Sequence, residues 1–280
     1  MERLSHLPLL KIYRMLHLCK RRGIDVLLGA RACLPAHRSI ENLYLPTIQK
    51  CGSQWIRQIF SDPWILRQTG LRVFPTRRYD MGEYVRKFPA GTVVPALYIN
   101  WNLYLNLEKP ANHRTLFIYR DPRDIWVSWY FSMRDSHFET GQVSQFRQIF
   151  TQVDQDTGLH LALDLLREKL HSILPWLEFS NDDKRISCHR LEDLTVADIV
   201  SWQKLMASCR IDMERSQVST LLDKYSFENM KKEDLKRRKT GDGHYRSGAQ
   251  GQWRQYLSQD HLEHFRSATG DLIPKLGYEP

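Results

Sequence analysis

The sequence predicts an α/β fold, a mostly parallel sheet covered by helices on both faces. Three observations point to it. Short apolar runs suited to buried strands recur at residues 42–48, 92–99 and 115–119. Segments of helical periodicity separate and follow them, and strands that alternate with helices pair in parallel under two helical layers. Two of the runs also leave the strand through short polar turns, at 49–55 and 120–123. In sheets of this kind, ligands bind beyond the carboxyl ends of the strands.

The elements follow in order. Residues 1–38 read as a helical extension, and 39–280 as one domain. The extension begins MERLSHLPLLKIYRMLHLCKRRG, where Lys11, Arg14, Lys20, Arg21 and Arg22 interrupt the apolar residues. On that pattern no secretory leader is expected. No run reaches the roughly 18 apolar residues of a membrane span. A helix packed on the domain is the plainer reading, and a basic amphipathic helix lying on a membrane the sharper one. Residues 42–48 then form a buried strand and 53–60 a helix. The run 92–99 contains Pro95, which cannot donate to a ladder, so an edge or a bulged strand is expected. Residues 115–119 (TLFIY) are a short strand, and the Asp-Pro that follows suits the first turn of a helix over 124–133. Leu163, Leu166, Leu170, Ile173 and Leu174 recur at helical spacing until Pro175 stops them. Residues 185–188 are a further short strand, and a helix runs from about Ser258 to Lys275.

Composition bounds the partners. The chain has 280 residues, 42% hydrophobic and 26% charged, enough to bury a full core. Its net charge of +9 directs it toward anions: nucleic acid, an anionic surface or a phosphorylated small molecule. Cys19, Cys33, Cys51, Cys188 and Cys209 are scattered and form no C-x-x-C pair. That argues against a disulfide framework or zinc site and for a reducing compartment.

Three segments carry chemistry. The first is QKCGSQW, residues 49–55. A nucleoside-triphosphate cradle reads G-x-x-x-x-G-K-[ST] and holds its terminal phosphates with magnesium. Here Lys50 precedes Gly52, the one glycine of the turn. A helix N-terminus is still present, and its free N–H groups attract phosphate. Ser53 and Gln54 can donate hydrogen bonds, and Trp55 offers a flat face to a base. A plain strand–helix turn with a solvated lysine is the competing reading. The second segment is YRDPRDIWVSWY, residues 119–130. Arg120 at a strand end and Ser128 two turns into the next helix suit a separate phosphate. The competing reading pairs Arg120 with Asp121 or Asp124. The third is KKEDLKRRKTGDGHYRSGAQGQW, residues 231–253, a basic glycine-bearing loop expected to order around a ligand. Its aromatic residues admit a nucleic-acid reading, but the basic residues are confined to one loop and no nucleic-acid motif accompanies them.

Together the segments resemble the sulfotransferases that use 3′-phosphoadenosine 5′-phosphosulfate (PAPS). QKCGSQW resembles their 5′-phosphosulfate loop, RDPRDIWVS their 3′-phosphate motif, and RSGAQGQW their C-terminal R-K-G-x-x-G-x-W loop. SFENM, residues 226–230, resembles the segment that stacks on the adenine. The order and spacing fit from about Ile40 to Gly277, with a flavour of bacterial stand-alone enzymes of secondary metabolism. The resemblance implies a P-loop-like sheet, PAPS as co-substrate, 3′,5′-adenosine bisphosphate as product, and no metal. It implies that Lys50 holds the 5′-phosphate and bridging oxygen as charge builds there. Cys51, Gly52, Ser53 and Gln54 complete that loop. Arg120, Ser128, Arg246, Ser247 and Gly248 surround the 3′-phosphate, and Trp55 and Phe227 sandwich the adenine.

The sequence departs from the family pattern in places. The usual Tyr-Pro before the lysine is Ile48-Gln49. Ser247 stands for a lysine, Leu191 for a tyrosine that touches adenine. The dimer motif survives only as Arg254, Ser258, Gln259 and Glu263, so a monomer or weak homodimer is expected. Many relatives carry a basic histidine near the end of the strand before the 3′-phosphate strand. Here that stretch is ALYINWN, with Tyr98, Asn100 and Asn102. His137, with Glu139 behind it, is the expected base. The acceptor pocket is expected from 74–85, 98–106 and 133–142, which mix aromatics with Asp80, Glu83, Asp135 and Glu139. That mix suits a phenol, alcohol or amine, even a cationic alkaloid. The expected protein is cytoplasmic, with no nucleic-acid partner. A non-catalytic nucleotide-binding protein of the same fold is the alternative.

Overall fold

The computed structural model describes residues 38–75, 86–136, 141–196, 198–237 and 248–279. The expected helical extension, all but its last residue, lies outside them.

β1 (Asn42–Pro46) is buried along its whole length because both of its faces are covered, and it is apolar from Leu43 on. Leu43 and Leu45 enter one hydrophobic cluster and Tyr44 the other, the period-two alternation of a strand. α1 (Ser53–Phe60) and α2 (Pro63–Thr69) follow, the second opened by Asp62, which accepts the Trp64 N–H at 2.7 Å. Then come β2 (Arg72–Val73), β3 (Thr92–Leu97) and α3 (Trp101–Leu105). β4 (His113–Tyr119) runs into α4 (Pro122–Phe131), with Asp121 as cap and Pro122 in the first turn. A π-turn, Ser132–Ser136, ends it. The second half holds α5 (Gly141–Gln152), α6 (Gln155–His171), α7 (Leu174–Phe179) and β5 (Ile186–Arg190). α8 (Leu191–Thr195), α9 (Ile199–Ser208), α10 (Arg215–Lys224) and α11 (Phe227–Arg237) come next. The chain closes with α12 (Trp253–Tyr256), α13 (Gln259–Thr269) and α14 (Leu272–Lys275).

The five strands form one parallel sheet in the order β2-β3-β1-β4-β5. One face packs Tyr44, Phe117 and Tyr119 against α4, α6 and α13. There the Trp176 ring stacks on Phe117 at 4.6 Å, and Trp126 donates to the Leu159 carbonyl at 2.7 Å. The other face packs Leu43, Leu116 and Ile118 against α1, α9 and α10.

One expectation holds in its second form, and three need correction. The strand bearing Pro95 is internal, between β2 and β1. It tolerates the proline through the other expected device, a bulge: pairing with β1 shifts between Tyr44 and Pro46, and Ala96 takes φ 51. Pro175 does not stop α6, which ends at His171. It sits in the first turn of α7, where its missing N–H costs nothing. The C-terminal helix breaks at Gly270, φ 61, into α13 and α14. Lys231, Lys232, Lys236 and Arg237 lie on α11, not in a loop.

Candidate active site

The carboxyl ends of β1, β3, β4 and β5 meet along one edge, and Lys50, Gly52, Ser53 and Arg120 lie there. After β1 the Thr47 hydroxyl donates to the Ile118 carbonyl at 3.3 Å, which pins the chain to β4. Gln49 accepts from the indole of Trp129 at 3.0 Å. Lys50 and Gly52 then take the left-handed conformation, φ 71 and 69, on either side of Cys51. Only glycine adopts it without cost, and a lysine held there marks a backbone constrained by its surroundings. Gly52 is the N-cap of α1, whose first turn carries no acidic residue to satisfy its N–H groups. Burial pushes the Cys51 thiol up, so it stays protonated and serves as filler. A Cβ on Gly52 would stand 2.7 Å from Leu191 Cδ1. Leu191 thus closes the back of the turn in the place of the expected tyrosine.

Arg120 ties the site together. From the end of β4 its guanidinium donates to the Lys50 carbonyl at 3.4 Å, the Asp124 carboxylate at 3.2 Å and the Ala249 carbonyl at 3.1 Å. Asp124, buried, also accepts the N–H groups of Gly251 at 2.8 Å and Trp253 at 3.0 Å. The turn after β1, the start of α4 and the loop before α12 therefore share one charge-assisted net. The ion pair that competed with the phosphate reading is present, and it is the scaffold on which the guanidinium is held. Ser128 follows two turns on, half-buried on α4. Gly248, φ 66, lies under the Phe227 ring: a Cβ there would meet Phe227 Cε2 at 2.4 Å. Trp55 donates to the Tyr225 carbonyl at 2.7 Å and meets Trp202 edge-on at 5.4 Å. The two expected adenine-stacking residues thus belong to adjoining segments. His137, Glu139, Arg246 and Ser247 lie outside the described residues.

Three residues complete the site without a clear sequence signal. Tyr98, just past β3, has its hydroxyl 2.8 Å from Ser53 Oγ. Burial raises its pKa, so at neutral pH it is a neutral phenol able to donate or accept. Tyr98 follows the Pro95–Ala96 bulge, and bulges re-aim neighbouring side chains. Asp124 is the anchor described above. Glu192 accepts the Asp121 N–H at 3.0 Å and the Tyr278 hydroxyl at 2.9 Å, and burial raises its pKa. An acid two residues past a strand at the binding edge was its only sequence signal. Several residues expected around the acceptor are core instead: Phe74, Trp101, Tyr104 and Met133 are all buried. The remnants of the dimer motif serve within the chain. Ser258 caps α13, Gln259 bonds Glu263 at 3.2 Å, and Arg254 lies over the Trp253 ring.

Among the described residues the cysteines Cys51, Cys188 and Cys209 are free, and no helix is long and apolar enough to cross a membrane. The family model of the sulfotransferase domain matches residues 101–277, which takes in β4, Arg120, Ser128 and the loop before α12. The Lys50 turn precedes the match, so its place rests on the geometry. No curated protein sequence matches the chain. Among solved structures, the mouse sulfotransferase SULT7A1 complexed with PAP is 18% identical, covers 81% of this chain and 82% of its own, and aligns with a TM-score of 0.59. Retinol dehydratase in complex with retinol and PAP is 13% identical, covers 85% and 82%, and aligns at 0.51. These two share the fold. With more than half of its length matched by the family model, the chain belongs to the sulfotransferase family.

Proposed function

We propose that the chain transfers a sulfuryl group from PAPS to a hydroxyl or amine of a small-molecule acceptor and releases 3′,5′-adenosine bisphosphate. The observation that carries this reading is the net around Arg120, which brings the Lys50 turn and the Gly248–Trp253 loop to one edge of the sheet. A ligand with a phosphate at each end of one ribose needs two such cradles and no grip on a γ-phosphate. The two solved structures of the same fold hold PAP, which supports the assignment.

In this reading Cys51, Gly52, Ser53 and Gln54 surround the 5′-phosphate, with the N–H groups of α1 aimed at it. Lys50 neutralises the bridging oxygen as the S–O bond breaks, a stabilisation that grows toward the transition state. Arg120, Ser128, Arg246, Ser247 and Gly248 surround the 3′-phosphate. Trp55 and Phe227 hold the adenine. Tyr98 donates to the sulfuryl oxygens from beside Ser53. The acceptor oxygen or nitrogen attacks sulfur and gives its proton to a base, for which His137 is the candidate. The acceptor is a small phenol, alcohol or amine, the setting is the cytoplasm, and the protein is a monomer or weak homodimer.

The test is thermal stabilisation by 3′,5′-adenosine bisphosphate, with 5′-AMP and ATP–magnesium as controls. At a hundredfold over its dissociation constant the bisphosphate should add about 2.7 kcal/mol. Equal stabilisation by ATP–magnesium, or none by any of the three, would overturn the assignment.

A further inference from the structure

On the seam between α6 and α13 lies a cluster that sulfuryl transfer does not use. α6 carries Asp156, His160 and Asp164 at i, i+4 and i+8, which places them along one face. α13 packs on that helix and brings Asp260, His261 and His264. The Nδ1 atoms of His160 and His264 approach to 2.7 Å. The Nε2 of His160 stands 3.1 Å from the Asp260 carboxylate, and that of His264 stands 3.2 Å from Asp164. Each carboxylate favours the proton on the Nε2 it faces. A neutral imidazole has one N–H to give. Two neutral rings so placed would turn two lone pairs at each other. A cation between the two Nδ1 atoms removes that conflict.

His261 has a different task. Its Nδ1 accepts the Ser258 N–H at 3.1 Å in the cap of α13, so its own N–H sits on Nε2 and faces the Asp156 carbonyl at 3.2 Å. Buried against Trp126 at 5.7 Å and stacked under His160 at 4.4 Å, it forms the floor of the cluster. Asp156, His160 and His261 hold possible ligand atoms within 4.8 Å of one another. With His261 committed to the cap, the Asp156 carboxylate remains as a nearby oxygen donor.

We propose that His160 and His264 bind a zinc-class divalent cation that staples α6 to α13. Imidazole nitrogen selects such ions over magnesium or calcium. Carboxylates that hold the far N–H of each ligand ring are the usual support of histidine metal sites, and Asp260 and Asp164 stand in that position. Zinc–nitrogen bonds of about 2.0–2.1 Å require the two nitrogens to part to about 3.3 Å. Side-chain rotation supplies this, since the two rings are 25% and 29% exposed. The site stabilises α13, which follows the loop held by Asp124 and α12, and it competes with a shared proton, so it weakens as pH falls.

The test titrates Zn²⁺ into the full, EDTA-stripped chain by calorimetry, with Mg²⁺ as control, on wild type, His160→Asn and His264→Asn. Circular dichroism checks that each variant is folded. The expected result is one Zn²⁺ per chain, no Mg²⁺ binding, at least roughly tenfold weaker Zn²⁺ binding in either variant, and a Zn²⁺-dependent rise in melting temperature only in wild type. Stabilisation by the bisphosphate should be the same in all three. If a variant does not fold, zinc protection of His160 and His264 from diethyl pyrocarbonate in the wild-type chain, read by mass spectrometry, decides the question. Zn²⁺ binding that survives in both variants, or no binding at all, overturns the proposal and leaves the shared proton as the cation of the pair.

Discussion

Arg120 is at once a ligand candidate and a strut, and two substitutions separate the roles. Arg120→Ala removes the charged partner of Asp124 and leaves that buried carboxylate with the Gly251 and Trp253 N–H groups. The cost is about 1–3 kcal/mol without any ligand. Ser128→Ala leaves the net untouched. Both variants should lose affinity for the bisphosphate, since a hydrogen bond to a charged group contributes about 1.5–3 kcal/mol, but only Arg120→Ala should melt earlier in its absence. Identical ligand-free melts would show that Arg120 carries no scaffold load. In the proposed reaction Lys50 acts later. Lys50→Ala should cut single-turnover rate by about 10²–10³, the loss typical of one transition-state donor, with a smaller loss of bisphosphate affinity. A rate unchanged at saturating PAPS would remove Lys50 from the chemistry. Arg120 was legible because it stands directly after an apolar strand, and Lys50 because it lies in the polar turn that follows one. Asp124 was not, since its partners Gly251 and Trp253 lie 127 and 129 residues away. Only the fold shows that it holds a loop.

At the scale of elements, the loop before α12 and the start of α11 act as one piece. Phe227 rests on Gly248 so closely that no side chain fits, and the positive φ of Gly248 adds strain for any other residue. Gly248→Ala should therefore push the ring aside, weaken the bisphosphate and lower the melting temperature. Left-handed backbone alone costs an L-residue about 1–2 kcal/mol. Phe227→Ala in that background should restore part of the stability but none of the affinity, because the stacking face is gone. A double variant no more stable than Gly248→Ala would show that packing against Phe227 is not the cause. The sequence read this region as a loop for a physical reason. α11 buries little beyond Met230, so it shows no apolar stripe, and its lysines mimic a solvated linker. The reverse held for β1 and β4, whose two covered faces leave unbroken apolar runs that need no partner to be recognised. β3 fell between, because Pro95 signals an edge unless a bulge absorbs it, and bulges leave little trace in sequence.

For the whole molecule, the response to acid is set by histidines whose burial keeps them neutral. His113, at the start of β4, donates from Nδ1 to the Pro110 carbonyl at 2.6 Å and takes the Tyr104 hydroxyl on Nε2 at 3.3 Å. Burial lowers its pKa below the ordinary 6.5, and burial does the same to His189 in β5. The unfolded chain therefore binds these protons first. Stability from both is fully present above about pH 6.5 and is lost as pH falls toward their depressed folded values. Asp62, whose pKa is lowered because its bonds to Lys224, Trp64 and Tyr225 outweigh burial, loses its contribution only below 3.8, outside that window. Glu192 has the opposite sign: raised by burial, it costs stability as pH rises from 4.5 through its folded value. Urea unfolding from pH 7.5 to 5 should show stability falling with acid in wild type. The fall should be shallower in His113→Gln, shallower again with His189→Gln added, and steeper in Glu192→Gln. A wild-type slope that neither histidine substitution reduces would mean that the acid response arises elsewhere in the chain.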